Sequence, residues 1–182
     1  AQELGYAESD PAADVKGLDA ADKIAILSGL AFGGTINRAD IQTAGINLLE
    51  AIDVNYAKQL GYAIKLLAIS ERNKKLDVNE KSLPLSIWVE PTLVPQEHPL
   101  AGVNGVNNAI LVEGNPIGQV MFFGPGAGSG PTASAVVADI LNIAGIQIMN
   151  GDEIKNLDPL LSAESWRNCH VANKEEISKK NY

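Results

Sequence analysis

A helical run that starts on a charge constrains this chain more than any other feature. From Asp19 to Phe32, Ala20, Ile24, Leu27 and Ala31 recur at helical spacing. Gly33-Gly34 stops the run. Asp19 caps or begins it, and Lys23 opens its apolar stretch Ile24-Ala25-Ile26-Leu27. Upstream stand Gly5-Tyr6-Ala7-Glu8, Asp10-Pro11, Asp14-Val15 and Gly17. Carboxylates, a helix-breaking Asp-Pro, a glycine and one lysine thus gather where a loop feeds a helix beside a core. Such a place can grip a polar substrate and handle a proton.

The rest of the chain is punctuated in the same way. Ala1 to Gly5 reads as the last turn of a helix, as expected of a chain cut from something longer. Asp10 and Pro11 restart helical structure, and Gly17 ends it. Thr35 to Leu49 shows no clear period and is compatible with two short helices. Asp53 is expected to cap Val54 to Leu60, with Gly61 as the stop. Tyr62 to Ile69 reads as a strand, and polar Glu71 to Lys81 as a turn. Leu83 to Val89 and Thr92 to Val94 read as extended segments broken at Pro91. Ala109 to Val112 and Ile117 to Phe123 flank Glu113-Gly114-Asn115-Pro116, a hairpin pattern. A glycine loop, Gly124 to Gly130, precedes a helix that Pro131 opens and that runs to about Ile143. The tail from about residue 168 is expected to fray.

Helices, then a meander of strands, then a helix predict an α+β fold. The expected sheet is mixed, mostly antiparallel, and covered by helices on one face. With 182 residues the chain fits a single domain spanning residues 1–182. Its net charge of −8 argues against binding a phosphate backbone, so no nucleic-acid partner is expected. No apolar stretch is long enough to cross a bilayer, so no membrane partner is expected either. Cys169 is the single cysteine, which excludes an internal disulfide and a cysteine-based metal site. That usage suits a reducing compartment, and a cytoplasmic location is expected.

Each polar constellation has a plain reading beside a functional one. Asp19 and Lys23, four apart, share a helix face. They form either a cap with a surface ion pair or a lysine held toward a substrate oxygen, and taken alone the first is favoured. Glu8 and Asp14 either bind an ammonium group or are solvated loop acids. The glycine loop lets a ligand approach the backbone closely, or simply connects a strand to a helix. It is no P-loop, since no Gly-Lys-Ser/Thr follows. No GxGxxG opens a helix after a strand, so a complete dinucleotide unit is absent. His98 is read as a surface turn residue, and neighbouring Cys169 and His170 receive no role. Ser28, Ser129 and Ser134 lack the partners of a serine hydrolase.

The ordered set Gly5-Tyr6-Ala7, Asp10-Pro11, Asp14-Val15, Gly17, Asp19, Lys23 resembles the signature of the homoserine dehydrogenase family. The resemblance continues through Leu60-Gly61-Tyr62, Pro91-Thr92-Leu93-Val94-Pro95, His98-Pro99-Leu100-Ala101, Asn107-Asn108-Ala109, Gly124 to Gly128 and Pro131 to Asp139. It implies interconversion of aspartate semialdehyde and homoserine with NAD or NADP, a step of threonine, methionine and isoleucine biosynthesis. It implies an α+β substrate domain that pairs through its sheet into a homodimer. By this resemblance Lys23 is the proton-handling lysine and Asp19 its companion acid. Glu8 binds the ammonium of a small amino-acid substrate, with Asp14 and Tyr6 also at the substrate. Gly124, Gly126 and Gly128 lie near the nicotinamide. The family's N-terminal nucleotide-binding half is not in this sequence, so the isolated chain is expected to be inactive. Two alternatives stand beside this reading: a non-catalytic dimerisation domain, and the dehydrogenase part of a fusion with aspartate kinase.

Overall fold

The computed structural model describes residues 11–72, 82–150 and 167–171. The chain divides into two compact units. Among the described residues, the first comprises residues 11–72, 82–93 and 167–171, and the second residues 94–150.

In the first unit, α1 (Ala12–Val15) leads through Gly17 into α2 (Leu18–Phe32). Then follow β1 (Gly34–Thr35), a 3-10 turn (Arg38–Asp40), β2 (Gln42–Thr43), α3 (Ala51–Gln59), β3 (Tyr62–Arg72) and β4 (Ser82–Pro95). The last strand, β7 (Arg167–Val171), joins them from the far end of the sequence. The sheet runs β1-β7-β4-β2, with β3 also paired to β4. The α+β class and the mixed sheet are as expected.

Three of its ladders were not foreseen. β1 with β7, β7 with β4 and β2 with β4 are all parallel. Each involves a strand of two to five residues, too short to display an alternating pattern, whose partner lies far away in sequence. Residues 168–171 accordingly do not fray: Asn168 pairs with Ser82, and Val171 with Leu85. Pro91 does not break β4, because it lies past Trp88 and Val89, the residues that pair with β2. The expected short helices over 35–49 are instead β1, the 3-10 turn and β2.

The core of this unit is Ala21, Ile41, Leu85, Ile87, Val89 and Val171. Ile24, Ala25 and Phe32 of α2, Leu66 and Ala68 of β3, and Cys169 pack against it. Ala21, Ala25, Ser28 and Phe32 recur at helical spacing, so α2 turns this side to the sheet. Gly33, with φ 70°, ends α2 as expected. The start differs: the cap is Gly17, with φ 75°, and Asp19 sits inside the first turn. In α3 the cap is Glu50, because Asp53 sits at the third helical position and reaches back. Its carboxylate accepts from the Glu50 N–H at 2.8 Å.

In the second unit, β5 (Asn107–Gly114) and β6 (Gly118–Pro125) form the foreseen hairpin, in register from Asn107↔Pro125 to Gly114↔Gly118. A 3-10 turn (Pro99–Gly102) precedes it. His98 caps this turn, its Nδ1 accepting from the Leu100 N–H at 3.2 Å. α4 runs from Ser129 to Asn150. It begins two residues before Pro131 and passes through Gly145, because one interior glycine costs only about 1 kcal/mol and does not stop a long apolar helix. No helix among the described residues is long and apolar enough to cross a membrane.

Candidate functional site

The corner between α1 and α2 is seated on the sheet by its backbone. The Ile46 N–H donates to the Val15 carbonyl at 2.8 Å, and the Ala44 N–H donates to the Val89 carbonyl at 2.8 Å. Segment 44–46 therefore bridges the corner to β4. Glycines permit the close fit. A Cβ on Gly17 would lie 3.2 Å from Val89 Cγ1 and 3.3 Å from Thr43 Cγ2. A Cβ on Gly45 would overlap the Val15 carbonyl oxygen and lie 2.6 Å from Lys16 Cα. The positive φ of Gly17 adds a second reason for glycine there.

This seating aims the first turns of α2. Lys23 Nζ stands 2.6 Å from Asp19 Oδ2, with side-chain exposures of 59% and 43%. The pair lies away from the packed face of α2, and so do Ile26 and Leu30, 66% and 50% exposed. An exposed i, i+4 pair contributes about 0.3–0.5 kcal/mol, so stability alone gives it little purpose. Asp22, the other acid nearby in sequence, is drawn elsewhere: its Oδ1 accepts from Arg38 Nε at 2.7 Å. The sequence announces this clamp only by an unassigned arginine in an irregular segment. Asp19 is thus left as the carboxylate that holds Lys23.

The other expected site residues fall differently. Asp14 is exposed on α1, where its carbonyl accepts from the Gly17 N–H at 3.0 Å. Glu8 and Tyr6 lie outside the described residues. Ser28 is 1% exposed and turned into the core, out of reach of any substrate.

The glycine loop belongs to the second unit. Gly124 is the next-to-last residue of β6, opposite Asn108. The Gly126 N–H donates to the Val106 carbonyl at 3.2 Å. Gly128, with φ 122°, accepts from the Thr132 N–H at 3.1 Å and so opens α4. Where a Cβ would stand on Gly124 there is open space, so a flat ligand can come to contact with the backbone.

The family model for homoserine dehydrogenase matches residues 1–141, more than half of the chain. The chain belongs to the homoserine dehydrogenase family. It is 55% identical over 177 residues to homoserine dehydrogenase of Synechocystis sp., covering 97% of this chain and 40% of that protein. It is 44% identical over 144 residues to the Bacillus subtilis enzyme, covering 79% of this chain and 31% of that protein. The crystal structure of a homoserine dehydrogenase from Thiobacillus denitrificans superposes with a TM-score of 0.81 at 39% identity, covering 94% of this chain and 38% of that one. A hyperthermophilic archaeal homoserine dehydrogenase mutant in complex with NADPH superposes with a TM-score of 0.56 at 28% identity, covering 77% of this chain and 36% of that one. The chain therefore spans about two fifths of the length of these family members.

Proposed function

We propose that this chain is the substrate-side part of a homoserine dehydrogenase, interconverting aspartate semialdehyde and homoserine with NAD or NADP. The observation that carries the reading is the Asp19–Lys23 pair. It is held on the exposed side of a helix whose packed side is anchored to the sheet. A cation so placed, in a chain of this family, has a task beyond stabilising its own helix.

The nicotinamide, when bound, supplies or accepts the hydride at the aldehyde carbon. The chain's own residues deal with the oxygen. The Lys23 ammonium donates a hydrogen bond to the carbonyl oxygen, where negative charge develops, and passes it a proton as the hydroxyl forms. In the reverse direction the neutral amine takes the hydroxyl proton. Asp19 orients the Lys23 amine throughout and forms no bond to substrate. Glu8 receives the substrate ammonium through charge-assisted hydrogen bonds, with Asp14 and Tyr6 completing that end. Gly124, Gly126 and Gly128 form the face that meets the dinucleotide. Most of the dinucleotide is bound by a nucleotide-binding half of the kind the longer family members have room for.

Two partner readings accompany this one. The hairpin exposes Phe122 and Phe123, and α4 exposes Ile140 and Leu141. Apolar surface of that extent favours burial against another body, which supports a homodimer. The acidic charge and single free cysteine favour the cytoplasm.

A calorimetric titration with homoserine tests the reading. Saturable binding that is lost in Glu8→Gln supports an amino-acid site. Absence of binding in the complete enzyme favours the rival, a domain serving association only. The isolated chain is expected to leave NADPH unoxidised when given aspartate semialdehyde, and to gain turnover only with a nucleotide-binding half.

A further inference from the structure

We propose that Asn108 is a positioning residue for the glycine loop. Its carboxamide sets how far Gly126 and its backbone stand out toward the dinucleotide. The inference rests on the reading that this loop meets the cofactor, and it deepens that reading.

Asn108 lies directly opposite Gly124 in the β5–β6 ladder, and directly paired residues project to the same side of a sheet. Gly124 has no side chain to meet the one from Asn108. The carboxamide therefore extends across the strand end and comes to rest on the loop beyond it. A Cβ built on Gly126 would overlap Asn108 Nδ2 and Cγ, and would lie 2.9 Å from Asn108 Cβ. The space a side chain would need at Gly126 is thus already filled, by a group from the facing strand. The backbone is fixed independently, since the Gly126 N–H is tied to the Val106 carbonyl at 3.2 Å. Val106 and Asn108 flank one residue of the incoming strand. Together they hold Gly126 by a hydrogen bond and by a packing contact.

Such an arrangement does not bear on the chemistry at the substrate oxygen. It bears on where the loop backbone stands, and hence on the fit of a ring lying against it. Small misplacements of a ligand-positioning element are costly, because binding groups must be held within a fraction of an ångström. Asn108 is itself exposed, so removing its side chain leaves no buried cavity.

Steady-state kinetics of the complete enzyme test the proposal with Asn108→Ala, Gly126→Ala and the double variant Gly126→Ala/Asn108→Gly. Turnover of homoserine with NAD or NADP by the complete wild-type enzyme serves as a separate control on the underlying reading. Asn108→Ala is expected to raise the KM for the dinucleotide several-fold while the KM for homoserine and the Tm stay near wild type. Gly126→Ala is expected to raise the dinucleotide KM by about tenfold or more, through the overlap with the carboxamide. In the double variant that overlap is gone, and the dinucleotide KM should return most of the way. A double variant no better than Gly126→Ala overturns the proposal. So does an Asn108→Ala enzyme with an unchanged dinucleotide KM, or one in which both KM values and the Tm move together. If the complete wild-type enzyme does not turn over homoserine with NAD or NADP, the dehydrogenase reading has failed, and the proposal falls with it. Wild-type turnover with no coupling between 108 and 126 sinks the Asn108 role alone.

Discussion

Asp19 and Lys23 stand one helical turn apart with their charged atoms 2.6 Å from each other, and neither side chain is buried. Their joint value to folding is about 0.3–0.5 kcal/mol, so function and stability should separate cleanly at these positions. Asp19→Asn is expected to lower kcat by about tenfold or more, because the amine loses the group that orients it. Its Tm should change by no more than a degree or two, given so small an energy. Parallel kinetic and calorimetric measurements check both.

Gly17 is expected to be far less forgiving. Alanine there must adopt a φ of 75° and accommodate contacts of 3.2 and 3.3 Å with Val89 and Thr43. Gly17→Ala should cost about 1–3 kcal/mol in urea unfolding. It should also disturb turnover, since this turn seats the first residues of α2. A loss below about 0.5 kcal/mol would mean that the corner is not held as described.

Much of this arrangement was legible in the sequence, and the rest has a common cause. The helix ending at Gly33 and the hairpin around residues 113–117 announce themselves through local periodicity and turn residues. The i, i+4 relation of Asp19 and Lys23 follows from the same periodicity. What escaped was long-range. Gly34-Thr35, Gln42-Thr43 and Arg167 to Val171 become strands only because β4 or β7 offers them backbone partners. Asn108 and Gly126 meet only because the ladder register brings them to one side. The Asp22–Arg38 clamp likewise joins residues whose proximity the fold creates. The caps of α2 and α3 lie two and three residues before the expected Asp19 and Asp53, because an acid inside the first turn resembles a cap in sequence.

Cys169 tests the docking of β7. It packs against the core, and burial raises its thiol pKa above the ordinary 9.0. Iodoacetamide at pH 8 should therefore alkylate it at least about tenfold more slowly than a free thiol, until urea unfolds the chain. A folded-state pKa raised above the unfolded value gives stability that is complete below the unfolded value. That stability is lost as pH rises through the folded value. Unfolding free energy should therefore decline on the alkaline side of pH 9.0, and Cys169→Ala should flatten the decline. Rapid alkylation in the native state would place the strand outside the sheet.

Glu8→Gln tests the proposed contact with the substrate ammonium. A charge-assisted hydrogen bond to an ammonium is worth about 1.5–3 kcal/mol. The KM for homoserine is accordingly expected to rise about tenfold or more, with the dinucleotide KM little changed. An unchanged homoserine KM removes Glu8 from the site.

Turnover by Lys23→Ala in the complete enzyme, measured beside its melting temperature, decides whether this lysine serves chemistry or folding. Loss of a proton-handling group predicts a fall in kcat of about a hundred- to ten-thousandfold. The melting temperature should stay within a degree or two, because the exposed pair contributes little to folding. Turnover within a few-fold of wild type, or a rate loss matched by an equal loss of folded protein, contradicts the account.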